Sequence, residues 1–187
     1  MSIYLASKSP RRRQLLNQID IEFISLVVEI DETPYKQELP QHYVERMAVE
    51  KVKAGWDNPQ RKEIIPVLAA DTSVILNEQI LGKPVSNEQA TSMLKELSGK
   101  THQVITSVAV CNGENMEFVT NTTDVTFCKL PIELIEYYVS TGDCMDKAGA
   151  YGIQSFAARF VKLLSGSYSG VVGLPLYETA QLLQKFR

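Results

Sequence analysis

Residues 5–13 read Leu5-Ala6-Ser7-Lys8-Ser9-Pro10-Arg11-Arg12-Arg13, and the change of character within them decides the fold class. The apolar run of residues 3–6 predicts a strand, the two serines and lysine a tight turn, and Pro10 the first position of a helix. Proline suits that position because its missing N–H would be unpaired there anyway, and Ser9 is placed to cap. Free amides and the positive end of the helix dipole then face the turn, beside hydroxyls and a lysine, which is a setting that attracts phosphate. Arginine adds planar, bidentate donors for phosphate oxygens. Consecutive helical residues point about 100° apart, so Arg11, Arg12 and Arg13 cannot all face one ligand. A solvated basic surface or a nucleic-acid patch would use the same residues, and the rest of the chain must discriminate.

Working outward, residues 10–18 form the predicted first helix and residues 22–28 a second strand. The segment Glu29-Ile30-Asp31-Glu32-Thr33-Pro34 then carries three carboxylates in four residues, a loop that either faces water or holds a cation. From residue 40 to about residue 56, Tyr43, Val44, Met47, Ala48 and Val52 recur at helical spacing. Lys51 lies off that apolar stripe and becomes a ligand only if a partner faces it. Pro66-Val67-Leu68-Ala69-Ala70 is a wholly apolar run typical of a buried strand, and it ends in Asp71-Thr72. An aspartate just past a buried strand either faces a ligand cleft or forms a turn.

Residues 74–76 and 79–81 flank Asn77-Glu78 as a hairpin. Ser86-Asn87-Glu88-Gln89 has capping-box spacing and opens a helix ending at Ser98-Gly99. Residues 103–111 and 116–129 read as partner strands around the turn signal Asn112-Gly113. Residues 131–141 read as a helix, 158–164 as a strand, 165–173 as a glycine-rich loop and 174–186 as a closing helix.

The chain has 187 residues, 44% of them hydrophobic and 22% charged, which suits one soluble globular domain spanning residues 1–187. A net charge of −3 argues against a protein built to grip nucleic acid. Cys111, Cys128 and Cys144 form no C-x-x-C pair and point to a reducing, cytoplasmic setting. No apolar run is long enough to span a bilayer, so no membrane association is expected.

There is no G-x-x-x-x-G-K-[ST] loop and no G-x-G-x-x-G turn. Gly166-Ser167-Tyr168-Ser169-Gly170 has tyrosine where a nucleophile elbow needs serine. With only His42 and His102, histidine-rich zinc sites and Ser-His-Asp triads have few candidates. Carboxylates Asp31, Glu32 and Asp71 remain, set against Lys8, Arg11 to Arg13, Lys51, Lys83 and Lys147. Acids that hold a hard cation and bases that hold phosphates are what phosphoanhydride hydrolysis requires, with magnesium or manganese as the expected divalent metal.

Ser7-Lys8-Ser9-Pro10-Arg11-Arg12 resembles the S-x-S-P-R-R signature of the Maf nucleotide pyrophosphatases. The resemblance extends to Glu50-Lys51-Val52-Lys53-Ala54, Ala70-Asp71-Thr72, Gly82-Lys83-Pro84, the run Asp146-Lys147-Ala148-Gly149-Ala150-Tyr151-Gly152-Ile153-Gln154, and Val172-Gly173-Leu174-Pro175. These blocks follow the family order across nearly the whole chain. Ala69 departs from the glycine that many members carry before A-D-T.

The resemblance implies cleavage of nucleoside triphosphates between the α and β phosphates, an α/β, ITPase-like fold with a mixed twisted sheet and flanking helices in two lobes around a central cleft and, in many members, a homodimer. It implies Asp71 as general base. It also implies Arg12, Thr72 and Gln154 as the positions that separate a dTTP/UTP branch from one acting on 7-methyl-GTP. Ser7, Arg11, Lys51, Lys83 and Lys147 are the expected phosphate-binding residues. A metal role for Glu32, alongside Asp71, follows from its charge and loop position. Glutamine and threonine suit a pyrimidine ring, whose two carbonyls flank one N–H. The alternative is a nucleotide-binding regulator of cell division or septum formation, in which hydrolysis is incidental.

Overall fold

The computed structural model describes residues 1–186, and Arg187 lies outside the described residues. Among the described residues, seven strands form one mixed sheet: β1 (Ser2–Ala6), β2 (Glu22–Leu26), β3 (Val67–Leu76), β4 (Gln79–Leu81), β5 (Thr101–Cys111), β6 (Met116–Phe127) and β7 (Val161–Ser165). The path is β2-β1-β3-β5-β6-β7, with β4 paired to β3. Among the described residues, six α-helices accompany it: α1 (Pro10–Gln18), α2 (Pro40–Trp56), α3 (Asn87–Leu97), α4 (Ile132–Ser140), α5 (Tyr168–Val172) and α6 (Leu176–Gln184). The expected mixed sheet with flanking helices is therefore what the chain forms.

The chain divides into two compact units. The first comprises Met1–Asp71, Thr106–Asn121 and the segment from Gly173 onward. Here β1 is buried on both faces, as its unbroken apolar run requires. It pairs in parallel with β2 (Ser2 opposite Glu22, Ala6 opposite Leu26) and with β3 (Tyr4 opposite Val67, Leu5 opposite Leu68). Helix α2 covers this sheet with Val44, Met47, Ala48, Val52 and Gly55, an i, i+3, i+4, i+8, i+11 stripe. Gly55 is the point of closest approach: a Cβ there would lie 2.7 Å from Ala6 Cβ and 2.8 Å from Val67 Cγ1.

The second unit comprises Thr72–Ile105 and Thr122–Val172. Its core is aromatic. The Phe127 ring packs edge-on against His102, Tyr151 and Phe160, with centroids 4.9, 4.8 and 5.9 Å away. Such edge-to-face contacts add to the burial these rings contribute. Ser86 caps α3 through its hydroxyl, which accepts from the Gln89 amide at 3.2 Å, as the capping-box spacing implies. Asn77 and Glu78 both take positive φ, 51° and 64°, the geometry of a two-residue hairpin turn.

Four sequence expectations change. Ser9 starts α1 in extended geometry but its hydroxyl makes no cap; instead the Ser7 hydroxyl accepts the Ser9 amide at 3.2 Å. Strand β3 does not stop before Asp71, because antiparallel pairing of Val74 to Leu76 with β4 carries the extended backbone past the polar pair. Most of the first half of the strand expected at 158–164 is a 3-10 turn, Phe156–Phe160, whose buried Phe160 ring is fixed by Phe127 and Tyr138. The glycine-rich loop contains the short helix α5.

The Gly55 contact sets a stability test. Replacing a helical glycine gains at most about 1 kcal/mol in helix propensity, whereas overpacking a filled contact costs about 1–3 kcal/mol. Gly55→Val places two further methyls in the same space, so its urea unfolding midpoint should fall below that of the unaltered chain; an unchanged or raised midpoint would show that α2 does not pack this closely on β1 and β3.

Candidate active site

The turn after β1 directs its groups inward. Arg12 donates from Nε to the Gly173 carbonyl at 2.8 Å and from Nη1 to the Ser7 hydroxyl at 3.3 Å. Ser7 is buried, Arg11 and Arg12 are half-buried, and Arg13 is exposed, so the helical turn of about 100° per residue sorts the three arginines as expected. Lys8 points away and pairs with the exposed Glu29 at 2.9 Å.

Helix α2 and the loop before it supply the facing groups. Lys51 Nζ lies 2.7 Å from Asp71 Oδ1 and 2.6 Å from Glu32 Oε1, so one ammonium joins two carboxylates that are 39 residues apart (71 − 32). Lys51 and Asp71 keep only 15% and 13% of their side-chain surface in contact with solvent, which strengthens the pair relative to a surface one. Glu32 is half exposed.

These charges reach their neighbours. Withdrawal from solvent lowers the Arg12 pKa; the Asp71 carboxylate, followed by that of Glu32, opposes the shift, while Arg11 adds to it. Burial pushes the Tyr43 phenol up to about 12, with the negative charges of Asp71 and Glu32 adding to it. Arg12, Glu32, Tyr43, Lys51 and Asp71 thus form one electrostatic cluster, and Arg12 connects it to Ser7.

The loop carrying Glu32 is held by groups that sequence reasoning did not single out. Tyr43 donates its hydroxyl to the Glu32 carbonyl at 2.9 Å. Arg46 donates to both Glu38 carboxylate oxygens at 2.7 Å and to the Thr33 carbonyl at 3.1 Å. Hydrogen bonding from Arg46 pulls the Glu38 carboxyl down to about 2 against the opposing effect of burial. The usable signal was spacing: Tyr43, Arg46 and Glu50 are i, i+3 and i+7 on α2, one residue short of Lys51.

Lys83, Lys147 and Gln154 belong to the second unit, as does Thr72. Lys83 and Gln154 are exposed and Thr72 is half-buried. The Gly149 amide donates to the Gly82 carbonyl at 3.1 Å, which ties the turn bearing Lys83 to the segment bearing Gln154. Gly149 has φ +66°, and a Cβ there would lie 2.9 Å from the Val74 methyls, so only glycine fits. Lys147 is engaged within its own segment, donating to the Asp143 carbonyl, to Asp143 Oδ1 at 3.1 Å and to Asp146 Oδ1 at 2.7 Å.

Asp143 also accepts from Ser155 Oγ at 2.5 Å and Tyr138 OH at 2.9 Å. Burial pushes the Asp143 carboxyl up, but the donors Ser155, Tyr138 and Lys147 outweigh it and leave it below the ordinary carboxylate range. On the other side of the segment, Tyr151 shares a hydrogen bond of 2.8 Å with His102 Nε2.

For a metal, the described residues contain no group of three or more His, Cys, Asp or Glu side chains. The pair Asp71 and Glu32 nevertheless fits a magnesium-like ion, which takes few protein carboxylates and completes its shell with water and substrate oxygens.

Residues 2–186 match the Maf-like protein family. The chain belongs to the Maf family. It is 48% identical to the dTTP/UTP pyrophosphatase of Pseudoalteromonas atlantica, over 98% of this chain and 96% of that one. It is 47% identical to the dTTP/UTP pyrophosphatase of Aromatoleum aromaticum, over 98% and 95%. It is 49% identical to that of Escherichia coli O157:H7, over 99% and 93%. In this Maf protein the matched span includes Ser7, Arg12, Lys51 and Asp71. Among the described residues, no helix is long and apolar enough to cross a membrane.

The buried His102 gives a pH test of the second unit. Burial pushes its imidazole down to about 4 from 6.5, opposed by Asp124. Between those values the unfolded chain takes up a proton more readily than the folded one. The stabilisation is therefore complete above pH 6.5 and is lost as pH falls toward 4, by at most about 3 kcal/mol. Unfolding free energy should drop between pH 7 and 4.5, and His102→Gln should flatten that slope; an equal slope in both proteins would show that His102 is not the group titrating.

Proposed function

We propose that this chain is a divalent-metal-dependent nucleoside triphosphate pyrophosphatase that hydrolyses dTTP and UTP to the monophosphate and pyrophosphate. The observation that carries the reading is the Lys51 ammonium joining Asp71 and Glu32 beside Arg12, which also donates to the Ser7 hydroxyl. The names of the relatives, which match nearly full length, agree with it.

In this reading the Asp71 carboxylate accepts a proton from water as the water oxygen bonds to the α-phosphorus. The α–β bridging bond breaks, and its electron pair leaves with pyrophosphate. One water is consumed and no redox change occurs. Ser7, Arg11 and Lys51 hold phosphate oxygens and offset the growing negative charge. The resemblance to the family motifs makes Lys83 and Lys147 further phosphate-binding residues, Lys147 on release from Asp143 or Asp146.

Asp71 and Glu32 would hold the divalent cation, which supplies Lewis-acid polarisation of phosphate oxygens when bound. Gln154 and Thr72 offer the donor and acceptor groups that a thymine or uracil edge requires, with Arg12 as the third discriminating position. A cytoplasmic setting agrees with the free thiols Cys111, Cys128 and Cys144. A homodimer, without nucleic-acid or membrane partners, completes the reading.

Purified chain with magnesium or manganese should release pyrophosphate from dTTP and UTP well ahead of ATP or GTP, and EDTA should stop turnover. Equal rates on all four nucleotides would reject the specificity. Asp71→Asn should lose roughly 10²–10⁴-fold in kcat, the range of a lost general base, with unchanged circular dichroism; full activity would remove Asp71 from the chemistry.

A further inference from the structure

We infer that Arg46 is a positioning residue for the reaction: it clasps the acidic loop of residues 29–38 onto α2 and so keeps the Glu32 carboxylate at Lys51. The inference rests on the proposed role of Glu32 in the site.

This loop has little of its own to order it. Residues 31–37 are all exposed and none lies in a helix or strand. Such a segment buries too little apolar surface to offset the entropy of a fixed path. The Lys8–Glu29 pair at its start is 60% and 84% exposed, and pairs of that kind contribute little.

Arg46 is placed differently. Its side chain is 16% exposed and that of Glu38 only 8%, and the guanidinium forks onto both carboxylate oxygens at 2.7 Å. Nη2 also donates to the Thr33 carbonyl at 3.1 Å, and Nη1 donates to Glu50 on α2 at 3.3 Å. The guanidinium carbon lies 3.8 Å from the centre of the Tyr35 ring. Glu38 in turn accepts the Tyr35 amide at 2.9 Å. One planar cation therefore touches the loop at Thr33, Tyr35 and Glu38.

The carbonyl of Glu32 itself is held by Tyr43, three residues before Arg46 and on the same face of α2. Fixing the backbone at the Glu32 carbonyl and at the residues that follow it limits where the Glu32 carboxylate can reach. Lysine cannot reproduce the clasp, because it has neither a fork nor a flat face to stack.

The test uses the full chain with Arg46→Met, Arg46→Lys, Glu32→Gln and the Arg46→Met/Glu32→Gln double variant. Arg46→Met should lower kcat/KM for dTTP by roughly 10²-fold, the cost of a misplaced group at a reaction centre, and Arg46→Lys should recover only part of it. The double variant should be no worse than Glu32→Gln alone, since both changes remove the same group from the site. Amide hydrogen exchange should quicken at residues 30–38 in Arg46→Met and stay unchanged in α2.

Losses that multiply in the double variant, or loop exchange that does not change, would overturn the clasp. Full turnover in Glu32→Gln would instead remove Glu32 from the proposed chemistry; faster loop exchange in Arg46→Met would then still support the clasp, and unchanged exchange would still refute it.

Discussion

The Lys51 ammonium between Asp71 and Glu32 is the interaction on which the site depends. Carboxylates brought this close repel one another in a partly buried setting, and a cation between them offsets that repulsion. Each of the three groups comes from a different kind of element: a strand, a helix and a loop. Their meeting is a consequence of the fold, because β3 lies next to β1 and α2 packs across that pair through Gly55. The same packing places Arg12, at the start of α1, where the Asp71 charge reaches it.

This arrangement explains how a short charged cluster can serve phosphate chemistry. A triphosphate carries several negative charges, and this cluster combines the Lys51 cation between two acids with the Arg12 cation beside the Ser7 hydroxyl. A divalent ion is the natural complement of the acids, and phosphate oxygens of the bases. In the second unit, Asp143 gathers Ser155, Tyr138 and Lys147, and His102 engages Tyr151, so the segment bearing Gln154 is fixed from both ends.

Much of this was legible in the sequence where residue chemistry and local geometry coincide. The apolar run before Ser7 and the proline after Ser9 are local signals, and β1 and α1 form where they predict. Asp71 was visible as a charge interrupting a buried run, but the end of its strand was misjudged because pairing with β4 is a long-range choice that composition does not record. The 3-10 turn at Phe156–Phe160 was missed because alanine-rich, aromatic residues read as strand, whereas ring contacts with Phe127 and Tyr138 decide the backbone there. Arg46 stayed hidden for a related reason: its partners Thr33, Tyr35 and Glu38 lie in a loop whose path no periodicity encodes.

The proposed chemistry depends on where a triphosphate sits. A crystal structure of the chain with magnesium and an α,β-imido analogue of dUTP reads this directly. The account predicts the α-phosphate beside the Asp71 carboxylate, with one water between them at hydrogen-bond distances of about 2.6–3.2 Å and Lys51 turned toward phosphate oxygen. An analogue bound elsewhere, with Lys51 still joining Asp71 and Glu32 and no phosphate near either, would contradict it.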